Sequence, residues 1–375
     1  ESASPVNVEE RVAWLALTLI PDLGNRSILR LLRHFGSPGE VLRAKRDDLA
    51  AVPRLREKAR ERILGGGMRR EAEAEWETLT RFGASLLCLG DPDYPSNLAE
   101  IPDPPAVLYV RGALEPGDLV SIAIVGSRAA SPTGMIFTER LATDLARYGI
   151  TVVSGFARGI DSSAHRGALK GNGRTLAVLG CGLDLDYPLG NADLKKEIGR
   201  SGAVVSEFSM ARPPAPENFP MRNRIISGLS LGVVVVEAAQ RSGSLITARL
   251  ALEQGREVFA VPGVARQSRS VGPHTLLKQG AKLVECAEDI IEEIRPLLKK
   301  SGSKGAHKGV AMAPVPDLDS DEAAMIERLD ETPQHIDDIC RAIQWSSAKA
   351  TATLLGLELK GAVRQLPGMH FISLL

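Results

Sequence analysis

The chain has 375 residues, too many for one ordinary core, which points to two or three domains. Forty-six basic residues cancel forty-six acidic ones, so a uniformly basic polyanion binder is excluded, and any such binding must rest on a local patch. The four cysteines, Cys88, Cys181, Cys286 and Cys340, form no CxxC pair, which excludes a disulfide framework and a cysteine zinc site and fits a reducing compartment.

The chain opens on Glu1 rather than Met, as a missing or processed N-terminus would. The apolar stretch Trp14 to Ile20 is too short to span a bilayer, and Glu9 and Glu10 precede it where a signal peptide would be basic. A cytoplasmic protein with no membrane partner is therefore expected. From Val8 to about Phe82 the pattern is helical with short breaks, predicting an N-terminal helical domain over 1–83. Ile20-Pro21-Asp22-Leu23-Gly24-Asn25-Arg26, followed by Ile28, Leu31, Leu32 and Phe35, reads as helix, tight turn, helix. It resembles a helix-hairpin-helix (or SAM-like) unit, in which glycine lets backbone amides approach a phosphate. Leu49 to Lys58 resembles it less, because Arg56 stands where the glycine would be. The same pattern also suits a small helical bundle that packs or oligomerises. Arg54, Arg56, Lys58, Arg60 and Arg62 in this region are offset by nearby acids.

The stretch 84–298 alternates strand-like with helical runs. Ser121 to Val125, Thr151 to Val153, Thr175 to Leu179, Ala203 to Val205, Gly232 to Val236 and Glu257 to Val261 read as strands. Continuous β-branched runs between amphipathic helices mean strands buried on both faces. The predicted fold is α/β, a Rossmann-like, doubly wound and mainly parallel sheet. Leu86 to Leu89 and Val107 to Val110 are expected to extend it at one edge. A flexible linker is expected over 299–316, rich in Ser, Gly, Lys and Pro. Three helical patterns and a hairpin turning at Pro367-Gly368 then predict a winged helix over 317–375.

In an open parallel sheet, ligands bind at the carboxyl ends of the strands. After the first of these six strands, Gly126-Ser127-Arg128 lacks the second glycine of a dinucleotide fingerprint and suits a single phosphate. After the second, Ser154-Gly155-Phe156-Ala157-Arg158-Gly159-Ile160-Asp161 carries two glycines that can turn amides outward as an anion nest. Asp161 is expected to cap the following helix, and His165 to pack locally rather than serve as a base. After the fourth comes Phe219-Pro220-Met221-Arg222-Asn223-Arg224. Arg222 and Arg224 cannot share one helix face, so at least one is expected in the crevice, with Phe219 able to stack on a base. After the fifth, Ser242-Gly243-Ser244 places hydroxyls and free amides at a helix start. One mononucleotide needs one or two such turns; a run of them suits a polymer.

These residues carry a likeness. Ile124 to Arg128, Ser154 to Asp161, Phe219 to Ser230, and Ser242 to Ala248 with Gly255 to Gly263 resemble, in the same order, the DNA-processing protein DprA (Smf) family with a C-terminal winged helix. The resemblance implies a cytoplasmic single-stranded DNA-binding protein that protects incoming DNA and loads RecA during natural transformation. It also implies a homodimer formed through the Rossmann-like domain, with no catalytic turnover, no cofactor and no metal. By motif match the DNA-contact candidates are Ser127, Arg128, Gly155, Phe219, Arg222, Asn223, Arg224, Ser242, Gly243 and Ser244. Arg158 and Lys278, from two of the same series of turns, complete the set. Where some members place a lysine shortly before the Phe, this chain has Arg212. The winged helix offers mainly Lys349 and Lys360, so a protein-interaction role is expected there at least as much as duplex reading. The rival is a nucleotide phosphoribohydrolase of the lysine-decarboxylase-like type, on the same kind of sheet. Its Pro-Gly-Gly-x-Gly-Thr loop is replaced here by Ser242 to Thr247, and Glu253 lies farther along.

Overall fold

The computed structural model describes residues 7–300, 318–329, 332–360 and 362–373. These form two compact units: a larger one built on a nine-stranded sheet, and a smaller one on a three-stranded sheet near the C-terminus.

The larger unit begins with six helices: α1 (Val8–Thr18), α2 (Asn25–Phe35), α3 (Pro38–Arg43), α4 (Arg46–Ala50), α5 (Glu57–Leu64) and α6 (Arg69–Phe82). Asn7 starts α1 by accepting the Glu10 amide at 3.3 Å, and Ser37 starts α3 by accepting that of Glu40 at 3.2 Å. The alternating part follows as β1 (Ser85–Cys88), α7 (Ser96–Ala99), β2 (Val107–Gly112), β3 (Ser121–Val125), α8 (Pro132–Arg147), β4 (Thr151–Ser154), α9 (Ile160–Lys170), β5 (Thr175–Val178) and α10 (Ala192–Ser201). It continues with β6 (Ala203–Ser206), α11 (Asn218–Leu229), β7 (Gly232–Val235), α12 (Gly243–Glu253), β8 (Glu257–Ala260), α13 (Val271–Lys278), β9 (Lys282–Leu283) and α14 (Ala287–Lys300).

The strand order is β1-β2-β6-β5-β4-β3-β7-β8-β9, parallel from β6 to β9, with β1 and β2 antiparallel at one edge. Every residue of β3, β4, β5, β6 and β7 is buried, as their β-branched runs require. Alternate residues feed two cores. Leu176 and Val178 of β5 join Ile225 and Ile226 of α11 and Ala248 of α12 on one face. Ala177 and Leu179 join Ile198 of α10 on the other, in a cluster continuous with Trp14, Leu31, Leu49 and Ile63 of the N-terminal helices. Polar ties reinforce this continuity. Arg11 pairs with Asp91 at 2.6 Å, and Glu75 accepts the Met210 amide at 2.7 Å. The Asn25 amide bonds both Asp103 and Pro104 at 2.8 Å. The helical segment and the sheet thus share one core.

In the smaller unit, α15 (Ser320–Ile326), β10 (Gln334–His335), α16 (Ile336–Ile343), α17 (Ser347–Leu359), β11 (Val363–Leu366) and β12 (His370–Ser373) make three helices and a sheet ordered β10-β12-β11. Asp319 and Glu322 close a capping box at α15, and Gly368 turns the wing at φ +78. Met325, Ile339, Leu354 and Phe371 fill the core. This is a winged helix. The first two residues of the expected linker continue α14; the rest of it lies outside the described residues.

Candidate nucleic-acid interface

The chain leaves β3 toward β4 but leaves β7 toward β8, so the carboxyl ends of β3 and β7 flank a topological switch point. The loops after β3, β4 and β5 gather there around a cavity of about 360 Å³. Arg128, Gly155, Arg158 and Phe219 line it, four of the sequence candidates. Arg128 is exposed, and its guanidinium sits 4.8 Å from the centre of the half-buried Phe219 ring. Gly180 makes room for that ring, since a β-carbon there would meet Phe219 at 2.8 Å. Exposed Arg158 bonds the Leu189 carbonyl at 3.3 Å. Ser127 lies beside the cavity rather than in its lining, its hydroxyl accepting the Ala129 amide at 3.2 Å.

Arg222 and Arg224 correct the expectation that one of them enters the crevice. Both are buried in α11. Arg222 runs under the cavity and donates to the carbonyls of Gly155 and Val178. Burial lowers it to about 10, still well above neutral pH, while buried Asp161 nearby favours its charge. Arg224 forks onto Glu207 at 2.6 and 2.7 Å and reaches Asp103 at 3.2 Å. Buried ions need such partners, and these arginines are tied into the protein's own frame. Asn223 is buried as well and donates to the Gly243 carbonyl at 3.2 Å.

Gly155 owes its identity to packing rather than to an outward nest. A β-carbon there would meet Asp161 Oδ2 at 2.7 Å and the Arg222 guanidinium at 2.8 Å. Asp161 does not cap α9. It lies in the first turn and accepts the Ala157 amide at 3.2 Å, with burial raising its pKa. His165 packs locally, as expected. Its Nδ1 meets Thr175 Oγ1 at 2.7 Å, and burial pushes it down to about 3.

Ser242 caps α12, and its hydroxyl pairs with that of Ser244 at 2.7 Å. Ser242, exposed Gly243 and Ser244 flank the switch point outside the cavity lining. Lys278 is exposed at the far end of α13 and does not line the cavity either. Sequence reasoning missed the loop after β5, which brings Tyr187 to 5.9 Å from Phe219 and leaves Leu189 75% exposed. A Tyr-Pro pair after a strand, in a chain with four tyrosines, was the available signal. It also missed Arg269, which crosses from the loop after β8 to bond the Ala129 carbonyl at 2.9 Å.

The family model for DNA recombination-mediator protein A matches residues 85–295, spanning this whole site, and that for the DprA winged helix domain matches residues 310–369. The chain belongs to the DprA family. Among DprA relatives, Protein Smf of Synechocystis sp. is 33% identical over 96% of this chain and 98% of its own. DNA processing protein DprA of Streptococcus pneumoniae is 45% identical over 54% of this chain and 72% of its own. The X-ray structure of the Streptococcus pneumoniae protein covers 78% of this chain and 99% of its own, with a TM-score of 0.66 and 35% identity. DNA processing protein A of Helicobacter pylori, studied for its single-stranded DNA binding mode, covers 58% of this chain and 96% of its own at a TM-score of 0.50 and 32% identity. At the point where the DprA likeness led to a lysine, Arg212 is exposed, and its carbonyl accepts the Gly182 amide at 2.9 Å behind the cavity. Among the described residues no cluster could hold a metal ion, and no helix is long and apolar enough to cross a membrane.

Proposed function

We propose that this chain binds single-stranded DNA at the carboxyl end of its sheet, without catalysis, as a cytoplasmic DNA-processing protein of natural transformation. The observation that carries the reading is the exposed Arg128 guanidinium over the half-buried Phe219 ring at the mouth of the cavity. A base has a π-face for Phe219, and its phosphate suits the planar fork of Arg128. Duplex DNA keeps its bases stacked inside, so this geometry favours the single strand. The family resemblance further supports loading of RecA onto the bound strand and a homodimer formed through the Rossmann-like domain. In the winged helix, Lys349 pairs with Asp321 at 2.9 Å and Lys360 pairs with Glu322. That pairing favours protein interaction over duplex reading there.

The phosphoribohydrolase reading finds no support. Glu253 closes α12 at the end opposite Ser242-Gly243-Ser244 and faces Arg249 at 3.7 Å. Fluorescence anisotropy with oligo-dT and with duplex tests the proposal. The expected result is preference for the single strand, weakening as salt rises through counterion release. Equal affinity for both forms overturns it.

A further inference from the structure

The two helix-turn-helix segments of the N-terminal region have no part in the site above, yet the fold sets both at one groove. The groove has a volume of about 750 Å³. One wall is made by the turn before α2, around Asp22 to Asn25, and the turn before α5, Arg54 to Arg56. The opposite wall is the start of β2 and the loop after β6. Arg30 locks the two turns together by donating to the Pro53 carbonyl at 2.9 Å and to Ser27 Oγ at 3.1 Å.

Three exposed arginines line the groove: Arg54 and Arg56 on one wall and Arg212 on the other. Two acids close to these arginines are engaged elsewhere. Glu57 turns to Arg46 at 3.5 Å and Arg60 at 3.0 Å, and Glu207 is held by Arg224 at 2.6 Å. Among the described residues, none of these three arginines is paired with a carboxylate within 4.0 Å. Asp22 is the exposed acid left in the lining. At Gly24 a β-carbon would meet nothing within 4 Å, so the backbone entering α2 lies open to a ligand.

The groove and the Phe219 cavity are linked through neighbouring residues. Arg212 lines the groove while its carbonyl takes the amide of Gly182, the residue after Gly180-Cys181 in the cavity lining. Met221 lines the groove two residues beyond Phe219 on the same helix. We infer that the groove holds the phosphates of the nucleotides that leave the Phe219 cavity, so that one single strand runs from the sheet onto the N-terminal helices. This rests on the single-strand reading and extends it. A run of cations beside a stacking site suits the backbone of the same strand, whereas a free mononucleotide would fill the cavity alone.

The test uses the full chain and its Arg54→Gln/Arg56→Gln variant, with dT oligomers of about 5 and about 20 nucleotides, lengths that bracket the usual single-strand site sizes. For the longer oligomer, the slope of log affinity against log salt should flatten by about 1.4 in the variant, at about 0.7 per lost phosphate contact. The shorter oligomer should bind both proteins alike. Arg54→Lys/Arg56→Lys should restore the slope, since the charge is kept. Equal slopes for the longer oligomer in wild type and variant overturn the groove and leave the cavity reading standing. Loss confined to duplex, with the longer single strand unaffected, also overturns it. Failure of the wild type to bind either oligomer overturns the single-strand reading and the groove with it.

Discussion

Arg128 and Arg224 both stand beyond the carboxyl ends of strands in one sheet, and the protein uses them in opposite ways. Arg128 is exposed and leans on an aromatic ring, with its fork open to solvent. Arg224 has 10% of its side chain exposed and is held by two carboxylates. An arginine available to a ligand is one whose charge the fold has left in water. An arginine inside the frame needs carboxylates or carbonyls to replace that water. The contrast separates binding residues from framework residues, and it can be broken by experiment.

The largest expected effect is at Arg224. Arg224→Ala leaves Glu207 and Asp103 without their cation, and breaking such a buried pair costs about 3–5 kcal/mol. Urea unfolding measures it, and a cost under about 1 kcal/mol would place Arg224 with Arg128 instead. Gly155→Ala comes next, at about 1–3 kcal/mol, because the added methyl meets Asp161 and Arg222 inside van der Waals distance. Thermal unfolding that matches wild type would show that the Arg222 frame under the cavity yields easily.

The third prediction concerns pH. His165 is pushed down to about 3 in the fold, so on acidification the unfolded chain gains a proton that the folded chain does not. The neutral imidazole therefore contributes stability that is complete above pH ~6.5 and lost as pH falls toward ~3. Asp161, whose folded pKa is raised by burial, contributes a slope of the opposite sign, in wild type and variant alike. Between pH ~6.5 and ~4.5, His165→Gln should lose stability less steeply than wild type, by up to about 1.4 kcal/mol per pH unit. Identical slopes in denaturant titrations at the two pH values would contradict a neutral, buried His165.

The sheet was legible in the sequence because each inner strand is a short β-branched run, buried on both faces, with turn residues at its end. The wing was legible from Pro367-Gly368, and the cavity's Arg128 and Phe219 from their places after strands. The partners of Arg224 were not legible, since Glu207 and Asp103 lie 17 and 121 residues away in the chain. Spacing on a helix says that two arginines point differently; it does not say whether either direction meets water. The same limit hid the shared core of the N-terminal helices. Periodicity marked the apolar face of α1 but not the strands it would meet.

The smallest expected change in stability accompanies the most direct test. Oligo-dT anisotropy across a salt series, with thermal unfolding on the same samples, should be compared for wild type and Arg128→Ala. Binding should weaken by about 1.5–3 kcal/mol, tenfold or more, while stability stays within about 0.5 kcal/mol. Unchanged binding, or a loss of stability as large as the loss of binding, would contradict Arg128 as an open ligand-holding cation at the mouth of the Phe219 cavity.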